Sequence, residues 1–253
     1  MRWSRADRAD IADPAAWLAR VVTRLCLDRL RAARARRETY IGPWLPEPLV
    51  EDMADSPLER AEEVSVAFLL ALQRLSPLER AAFLLHDIFD EDYAALGRTL
   101  GRGEAACRQL LSRARAHVKE ARPRFDVSQE QAGRLAAAFM DAAARNDSAA
   151  LGVLLAEDCV MVTDGGGKRG AALRPLVGRS DILAFIGGLA WRQPWPPAGH
   201  ARPARINGWP GVVFEGPHGV QTIAFEPGAD GQLAAIYIVR NPEKLGGVAT
   251  RRS

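Results

Sequence analysis

One region of the fold is decided by residues 75–118, which read LSPLERAAFLLHDIFDEDYAALGRTLGRGEAACRQLLSRARAHV. Its opening, Ser76-Pro77-Leu78-Glu79, is a capping-box helix start with proline at the first helical position. A short helix at 92–100, a glycine-containing turn at 101–103 and an arginine-rich helix at 104–120 are predicted to follow. Two helices joined in this way predict a helix-turn-helix. The residues expected to form its small core are Leu96, Leu100, Cys107 and Leu111.

The second helix of this pair would be the recognition helix, which enters the DNA major groove and reads base edges near its N-terminus. Arginine pairs with guanine, glutamine pairs with adenine, and glutamate accepts a hydrogen bond from cytosine. The candidates for base contacts are Arg102, Glu104, Arg108 and Gln109, and those for phosphate contacts are Arg113 and Arg115. A generic helical hairpin with a solvated basic face stays open as the alternative.

Composition predicts a folded, soluble chain that is rich in arginine. The 253 residues are 48% hydrophobic and 26% charged, and only three of the 34 basic residues are lysines. Many arginines fall at residues 20–37 and 108–124, which favours nucleic-acid binding over solvated helix faces produced by coding bias.

No membrane-spanning run or signal peptide is visible, so the expected compartment is the cytoplasm. The cysteines, Cys26, Cys107 and Cys159, are expected to be buried, reduced thiols without a disulfide or a metal.

The N-terminal segment predicts one amphipathic helix followed by an extended linker. Asp13-Pro14 is a helix start, and Leu18, Val21, Val22 and Leu25 have the spacing of an apolar helix face. The helical pattern stops in TYIGPWLPEPLVEDMADSP (residues 39–57), which contains four prolines and a glycine. Such a segment is extended, and its apolar WLPEP portion is expected to dock on another part of the chain.

The C-terminal part, from about residue 127, predicts an α+β domain. Helices are expected at 129–145, 149–155 and 180–189, and strands at 158–164, 211–215, 220–226 and 232–240. Asp230-Gly231 is a strong hairpin signal, and His218-Gly219 is a weaker one. Helices followed by a meandering antiparallel sheet are typical of this class.

Residues 75–89 and 100–118 resemble region 4 of the extracytoplasmic-function (ECF) sigma factors, which reads the −35 promoter element. DPAAWLARVVTRLCLDRLRAARARRE (residues 13–38) is similar to the later part of their region 2, which recognises and melts the −10 element. The resemblance implies DNA contacts from Arg20, Arg24, Arg29 and Arg31. Trp17 could stack on a flipped base, although a tryptophan at this place in an amphipathic helix is more often a core residue. Only residues 1–10 precede this helix, where a complete region 2 of the family has further helices. The expectation is therefore either that the true start lies upstream or that the protein is a shortened relative with weakened polymerase binding.

YIGPWLPEP (residues 40–48) resembles the linker of the sigma factor subgroup that has a C-terminal SnoaL-like domain. Residues 139–179 resemble that domain, a cone-shaped curved sheet closed by helices, and DGGGK (164–168) and NPEKL (241–245) match its fused version. The resemblance implies that these motifs influence promoter activity and polymerase contact in place of a separate anti-sigma protein. The regulatory candidates are Trp44, Leu45, Pro46, Glu47, Pro48, Asp164, Gly165, Gly166, Gly167, Lys168, Asn241, Pro242, Glu243, Lys244 and Leu245. Each motif also has an alternative interpretation without a regulatory role. The linker motif could be a stiff spacer, DGGGK a mobile glycine-rich turn with one exposed lysine, and NPEKL a chain-end turn.

The expected organisation is a partial region 2 (1–38), a linker (39–56), region 4 (57–124), a SnoaL-like domain (127–247) and a tail (248–253).

An enzyme of this fold would use a buried acid or base. The available groups are Asp158 at a strand entrance, Asp164 and His218 in turns, and His200 in a loop. None is placed as an inward-facing base, so no catalytic residue, cofactor or metal is expected.

The sequence therefore predicts a multidomain sigma factor with all-α sigma domains and an α+β SnoaL-like domain that regulates it in cis. The partners would be core RNA polymerase and promoter DNA, without a membrane, and a small molecule in the C-terminal pocket stays an open partner. Two alternatives remain: a ligand-sensing DNA-binding regulator that no longer engages polymerase, and a SnoaL-type isomerase or cyclase.

Overall fold

The computed structural model describes residues 13–52, 66–120, 127–190, 200–216, 219–228 and 231–249. The chain divides into two compact units, a helical unit of residues 1–39 and 71–121 and a sheet unit of residues 40–70 and 122–253. The linker therefore belongs to the sheet unit. None of the described helices is long and apolar enough to cross a membrane.

The helical unit contains α1 (Pro14–Glu38), the end of α2 (Val66–Arg74), α3 (Pro77–Phe83), a π-helical turn (Leu84–Ile88), α4 (Tyr93–Leu100) and α5 (Glu104–Glu120). The predicted capping box is present, because the Ser76 hydroxyl accepts from Glu79 N and the Glu79 carboxylate accepts from Ser76 N. Asp92 caps α4, and Gly101 ends it in the left-handed conformation. The predicted helix-turn-helix is thus confirmed, because α4 ends at Gly101 and α5 begins at Glu104.

The predicted core of the helix-turn-helix is confirmed, with one residue at its edge. Leu96, Cys107 and Leu111 are buried together with Ala82, and Leu100 is partly buried against them. This small core fixes the orientation of α5 relative to α4.

The predicted apolar face of α1 is wrong. Leu18, Val22 and Leu25 are 43%, 56% and 48% exposed, whereas Thr23 and Leu27 are buried. The reason is that α1 packs against α3 and α4 through a different side of the helix. Cys26 lies on the exposed side as well, so the expectation of a buried thiol holds only for Cys107 and Cys159.

The sheet unit contains three helices packed on a seven-stranded sheet. The helices are α6 (Gln129–Ala144), α7 (Ser148–Leu154) and α8 (Arg179–Ala190), and a 3₁₀ turn (Pro242–Lys244) and α9 (Gly246–Ala249) follow the last strand. The strands are β1 (Val50–Asp52), β2 (Leu155–Asp164), β3 (Leu176–Val177), β4 (His200–Ile206), β5 (Trp209–Gly216), β6 (Gly219–Pro227) and β7 (Leu233–Val239), in the order β1-β4-β5-β6-β7-β2-β3.

The predicted antiparallel meander is confirmed for β5, β6 and β7 and is wrong for β2. Strands β4 to β7 pair antiparallel in chain order, but β2 pairs parallel with β7. The sheet is therefore mixed. The sequence predicts a loop at His200, and this prediction is wrong, because His200 is the first residue of β4 even though Pro203 lies within that strand. The two short strands β1 and β3 were not predicted, because three and two residues are too few to show alternation.

The two faces of this sheet are buried by different parts of the chain. The helix-covered face packs residues such as Met161, Ile223 and Phe225 against α6, α7 and α8. On the linker-covered face, Trp209 and Tyr237 are buried in one apolar cluster. The same cluster contains Leu45 from the linker and Leu245 and Val248 from the C-terminal end of the domain. The linker is thus part of the core of the sheet unit.

Candidate functional site

A buried carboxylate joins the linker to the C-terminal motifs. Asp164 is the last residue of β2 and is 0% exposed. It accepts hydrogen bonds from the Tyr40 hydroxyl at 2.5 Å, the Leu45 backbone N–H at 2.8 Å and the Lys244 Nζ at 2.6 Å. The predicted placement of Asp164 in a turn is wrong, because its strand continues to the buried end of the sheet.

Lys244 is the cation of this cluster, and it also contacts the linker directly. Its Nζ donates to the Leu45 carbonyl at 2.5 Å and lies 3.8 Å from the centre of the Trp44 ring and 4.8 Å from that of the Tyr40 ring. An ammonium over an aromatic face is attracted by the ring quadrupole, and more strongly when it is desolvated. The Lys244 side chain is only 11% exposed. We call Tyr40, Trp44, Leu45, Asp164, Asn241 and Lys244 the Asp164 cluster.

Tyr40 acts as a donor to Asp164 and as an acceptor from Asn241. Asn241 Nδ2 donates to the Tyr40 hydroxyl at 2.7 Å. Burial, and then the hydrogen bond to Asp164, raises the pKa of Tyr40 well above its ordinary value. The phenol therefore stays protonated, as its bond to a carboxylate requires.

The glycines of DGGGK let the linker approach this turn closely. Gly166 and Gly167 have φ values of 59° and 70°, which side chains rarely adopt. A Cβ at Gly166 would overlap the Asn241 amide and lie 3.0 Å from the Tyr40 hydroxyl, and one at Gly167 would lie 2.8 Å from Ile41 Cδ1. The glycine run is therefore a contact surface for residues 40–41.

The rest of the linker is held by apolar burial and backbone pairing. Leu45 is 1% exposed, and Pro46 and Pro48 are buried beside it. The Leu49 N–H donates to Asn207 Oδ1 at 2.9 Å, and Asn207 N donates back to the Leu49 carbonyl. Strand β1 then pairs antiparallel with β4, with Glu51 opposite Arg205.

The structure brings most of the predicted regulatory residues together and leaves several at the surface. Glu47, Pro242 and Glu243 are exposed, and Lys168 forms an ion pair with Glu243 at the surface, with side-chain exposures of 49% and 66%. Leu245 is buried in the same cluster as Leu45. The three motifs thus meet through a buried part around Asp164 and a surface part at Lys168.

Sequence reasoning missed two residues of this site. One is Tyr40, which donates a hydrogen bond to Asp164, and the other is Asn207, which accepts one from Leu49 N. Asn207-Gly208 between two strands is a hairpin signal that could have located the second. For Tyr40 the sequence offers no signal of its own, since its partner lies 124 positions away.

The groups considered for acid-base chemistry do not converge. Asp158 is exposed on β2, and Asp164 is engaged by three donors. His218 and the His200 side chain lie outside the described residues. Within the described part of the chain, no group of three His, Cys, Asp or Glu residues is arranged to hold a metal ion.

The candidate recognition residues are all exposed on or next to α5, and several are paired within the helical unit. Arg108 bonds Glu104 at 2.9 Å and lies 4.9 Å over the Tyr93 ring. Arg113 pairs with Glu79 at 3.3 Å. Two of these candidates, Arg102 and Gln109, are exposed and form no such pair within the described part of the chain.

Arg115 is the most firmly paired of these side chains. Its guanidinium donates to both carboxylate oxygens of Asp87, at 2.9 and 2.6 Å. These hydrogen bonds raise the pKa of Arg115 and hold that of Asp87 below its ordinary value. A phosphate would have to compete with Asp87 for this arginine.

The arginines proposed for the −10 element lie on the exposed surface of α1. Arg20, Arg24, Arg29 and Arg31 are all exposed, and Arg31 pairs with Asp28 at 3.1 Å. Trp17 is half-buried. The structure therefore presents a basic surface on α1.

Comparison with known proteins gives consistent matches along the chain. The model of sigma-70 region 4 matches residues 65–118. The ECF RNA polymerase sigma factor SigJ of Mycobacterium tuberculosis is 39% identical over 264 residues, which cover 98% of this chain and 83% of that protein. The probable sigma factor SigI of the same organism is 37% identical over 151 residues, covering 58% of this chain and 52% of its own.

The solved structure of Mycobacterium tuberculosis SigJ superposes with a TM-score of 0.73 at 36% identity, covering 97% of this chain and 87% of that one. The fold is thus a helical region 4 and a C-terminal mixed sheet domain of the SnoaL-like kind. The chain belongs to the extracytoplasmic-function RNA polymerase sigma factors, in the group that resembles SigJ.

Proposed function

We propose that the chain directs core RNA polymerase to its promoters in the cytoplasm and that the SnoaL-like domain regulates it in cis by holding the linker. In this proposal α1 contacts the −10 element and region 4 reads the −35 element. The observation that supports regulation is the Asp164 cluster, in which the linker, DGGGK and NPEKL share one buried carboxylate. No catalytic role is proposed for the domain, because the carboxylate of Asp164 is fully engaged.

Holding the linker limits how far the chain can extend between the two promoter-reading segments. Residues 40–52 connect α1 to the region-4 half of the sequence, and in the structure they follow the sheet unit from Tyr40 to β1. Released and fully extended, these 13 residues would span at most about 45 Å. Docking therefore removes conformations that a bridging sigma factor needs, and release restores them.

The chemistry of the cluster makes docking cooperative. Lys244 and Asp164 form a buried ion pair, and the Leu45 N–H and carbonyl bond to its two members. Loss of one partner leaves the other charge buried and unpaired, which typically costs about 3–5 kcal/mol. The linker contact should therefore be lost as a unit, a property suited to a two-state regulator.

For region 4, we propose that Arg102 and Gln109 make the base contacts, since both are exposed and outside the ion pairs of α5. Arg113 and Arg115 would then contact phosphates by exchanging Glu79 and Asp87 for DNA. Phosphate contacts fix register and orientation, whereas base contacts give specificity.

Promoter-dependent transcription tests the regulatory proposal. Purified chain, Asp164→Asn and the matched surface variant Asp141→Asn would be compared with core polymerase on a template that the wild type transcribes. Asp141 is exposed on α6 and pairs only with Arg145 among the described residues. The expected result is several-fold more transcript from Asp164→Asn and no change from Asp141→Asn. A folded Asp164→Asn that transcribes no more than wild type overturns the proposal.

A further inference from the structure

A buried amide on the helix-covered face lacks a hydrogen-bond partner. Gln221 of β6 is 6% exposed, and its Nε2 finds no partner among the described residues. It alternates with Ile223 and Phe225, which place this side of β6 against the helices. Buried polar groups are nearly always paired, so an unpaired donor here requires an explanation.

An arginine occupies the position opposite Gln221. Thr222 pairs with Val239 across β6 and β7, so the antiparallel register puts Gln221 against Arg240. Arg240 alternates with Ile236 and Ile238 and therefore lies on the same face. One of its guanidinium nitrogens donates to the Gly170 carbonyl at 2.5 Å, and its other donors have no hydrogen-bond partner among the residues that the structure describes.

A second arginine lies at the same end of the sheet. Arg169 follows the DGGGK turn, and its NH2 group lies 3.4 Å from the position that a Cβ would occupy at Gly219. Gly219 is two residues before Gln221 on β6, so its Cβ position points to the same face. Arg169, Gln221 and Arg240 thus converge at one end of the helix-covered face.

These two cations are not neutralised within the described part of the chain. Neither Arg169 nor Arg240 has a carboxylate partner there, whereas Arg134 of α6 and Arg145, which directly follows α6, each pair with an acid. Burial, and then the nearby charge of Arg169, lowers the pKa of Arg240. An anion between them would remove this repulsion and would satisfy the Gln221 amide.

We propose that Arg169, Gln221 and Arg240 form a binding site for a small anion with carboxylate or phosphate oxygens. The planar forks of two arginines match the geometry of both groups, and the amide adds one neutral donor. Phe139 and Phe225 fill the core of the same face at 0% exposure, so the site would take an anionic head group at the rim and not a large ligand inside. The site goes beyond the proposed regulation of the linker and does not depend on it.

Calorimetric titration of the full chain tests this site. Inorganic phosphate and butyrate would be titrated separately at constant ionic strength against a chloride background, so that the two anion classes are distinguished. The expected result is saturable binding of at least one anion, weakened at least tenfold by Arg169→Gln and by Arg240→Gln and several-fold by Gln221→Leu. Arg145→Gln, which removes the same charge elsewhere in the unit, should bind as the wild type does.

Two results would overturn the proposal. One is the absence of saturable binding for both anions, and the other is unchanged affinity in Arg169→Gln. Arg169 is exposed and Arg240 is not, so Arg169→Gln decides the outcome if Arg240→Gln fails to fold.

Discussion

The two faces of the C-terminal sheet are buried in different ways. The helix-covered face is closed by α6, α7 and α8, which lie in the same C-terminal part of the chain as most of the strands and pack through apolar side chains. The linker-covered face is closed partly by residues 40–52, which come from more than 100 positions away and depend on a buried ion pair. Apolar packing is maintained as long as the domain is folded, whereas a buried charge cluster is lost when one member is removed. We therefore propose that the helix-covered face is a permanent part of the fold and that the linker-covered face includes a contact that can be released.

The largest effect is expected on the helix-covered face. Phe139 is 0% exposed and its ring lies 5.3 Å from that of Phe225, so Phe139→Ala should lower the free energy of unfolding by about 4 kcal/mol. Urea denaturation would measure this, and the whole sheet unit should unfold in one transition. A loss below about 1 kcal/mol would mean that this face is not the main core.

On the linker-covered face, Asp164→Asn should cost about 3 kcal/mol because Lys244 is left buried without its counter-ion. The effect should be local, with faster amide exchange at Leu45 and Leu49 and little change in α6. Adding Lys244→Met should recover part of the loss, since the unpaired charge is then removed. Additive losses in the double variant would contradict a coupled pair.

A smaller effect is expected where the linker approaches the glycine turn. Gly166→Ala would force a Cβ against Asn241 at a φ of 59°, at a cost of about 2 kcal/mol. Gly133→Ala is the matched control, because a Cβ there meets nothing within 4 Å and alanine favours α6. Thermal unfolding of the two variants should shift in opposite directions, and an equal shift would show that linker contact does not restrict position 166.

The smallest effect should come from the surface part of the motifs. Lys168→Gln breaks the exposed pair with Glu243, which is screened by solvent and contributes less than about 1 kcal/mol. Denaturation of Lys168→Gln should therefore match the wild type closely. A loss above about 2 kcal/mol would place Lys168 within the cooperative contact.

The helical unit could be predicted well from the sequence because its signals are local. The Ser76 capping box, the Asp92 cap and the Gly101 turn each act within a few residues, and the structure places α4 and α5 where these signals indicate. The burial of α1 could not be predicted in this way. Its helix has two apolar sides, and only packing against α3 and α4 selects the one with Leu27.

The site itself depends on long-range pairing that no local pattern contains. The parallel pairing of β2 with β7 brings Asp164 beside Val239, and Lys244 follows five residues later. An aspartate followed by three glycines is locally typical of a turn. The burial of Asp164 depends instead on Lys244 and Tyr40, which lie 80 and 124 positions away in the sequence. The motifs could be found from sequence, but the buried contact between them could not.

The most direct test of linker regulation is amide hydrogen exchange of residues 45–52 in the free chain and in the complex with core polymerase and promoter DNA. In the free chain, the Leu45 and Leu49 amides should be protected by Asp164 and Asn207. The account predicts that this protection is lost in the transcribing complex while α6 stays protected. Equal protection of the linker in both states would contradict it.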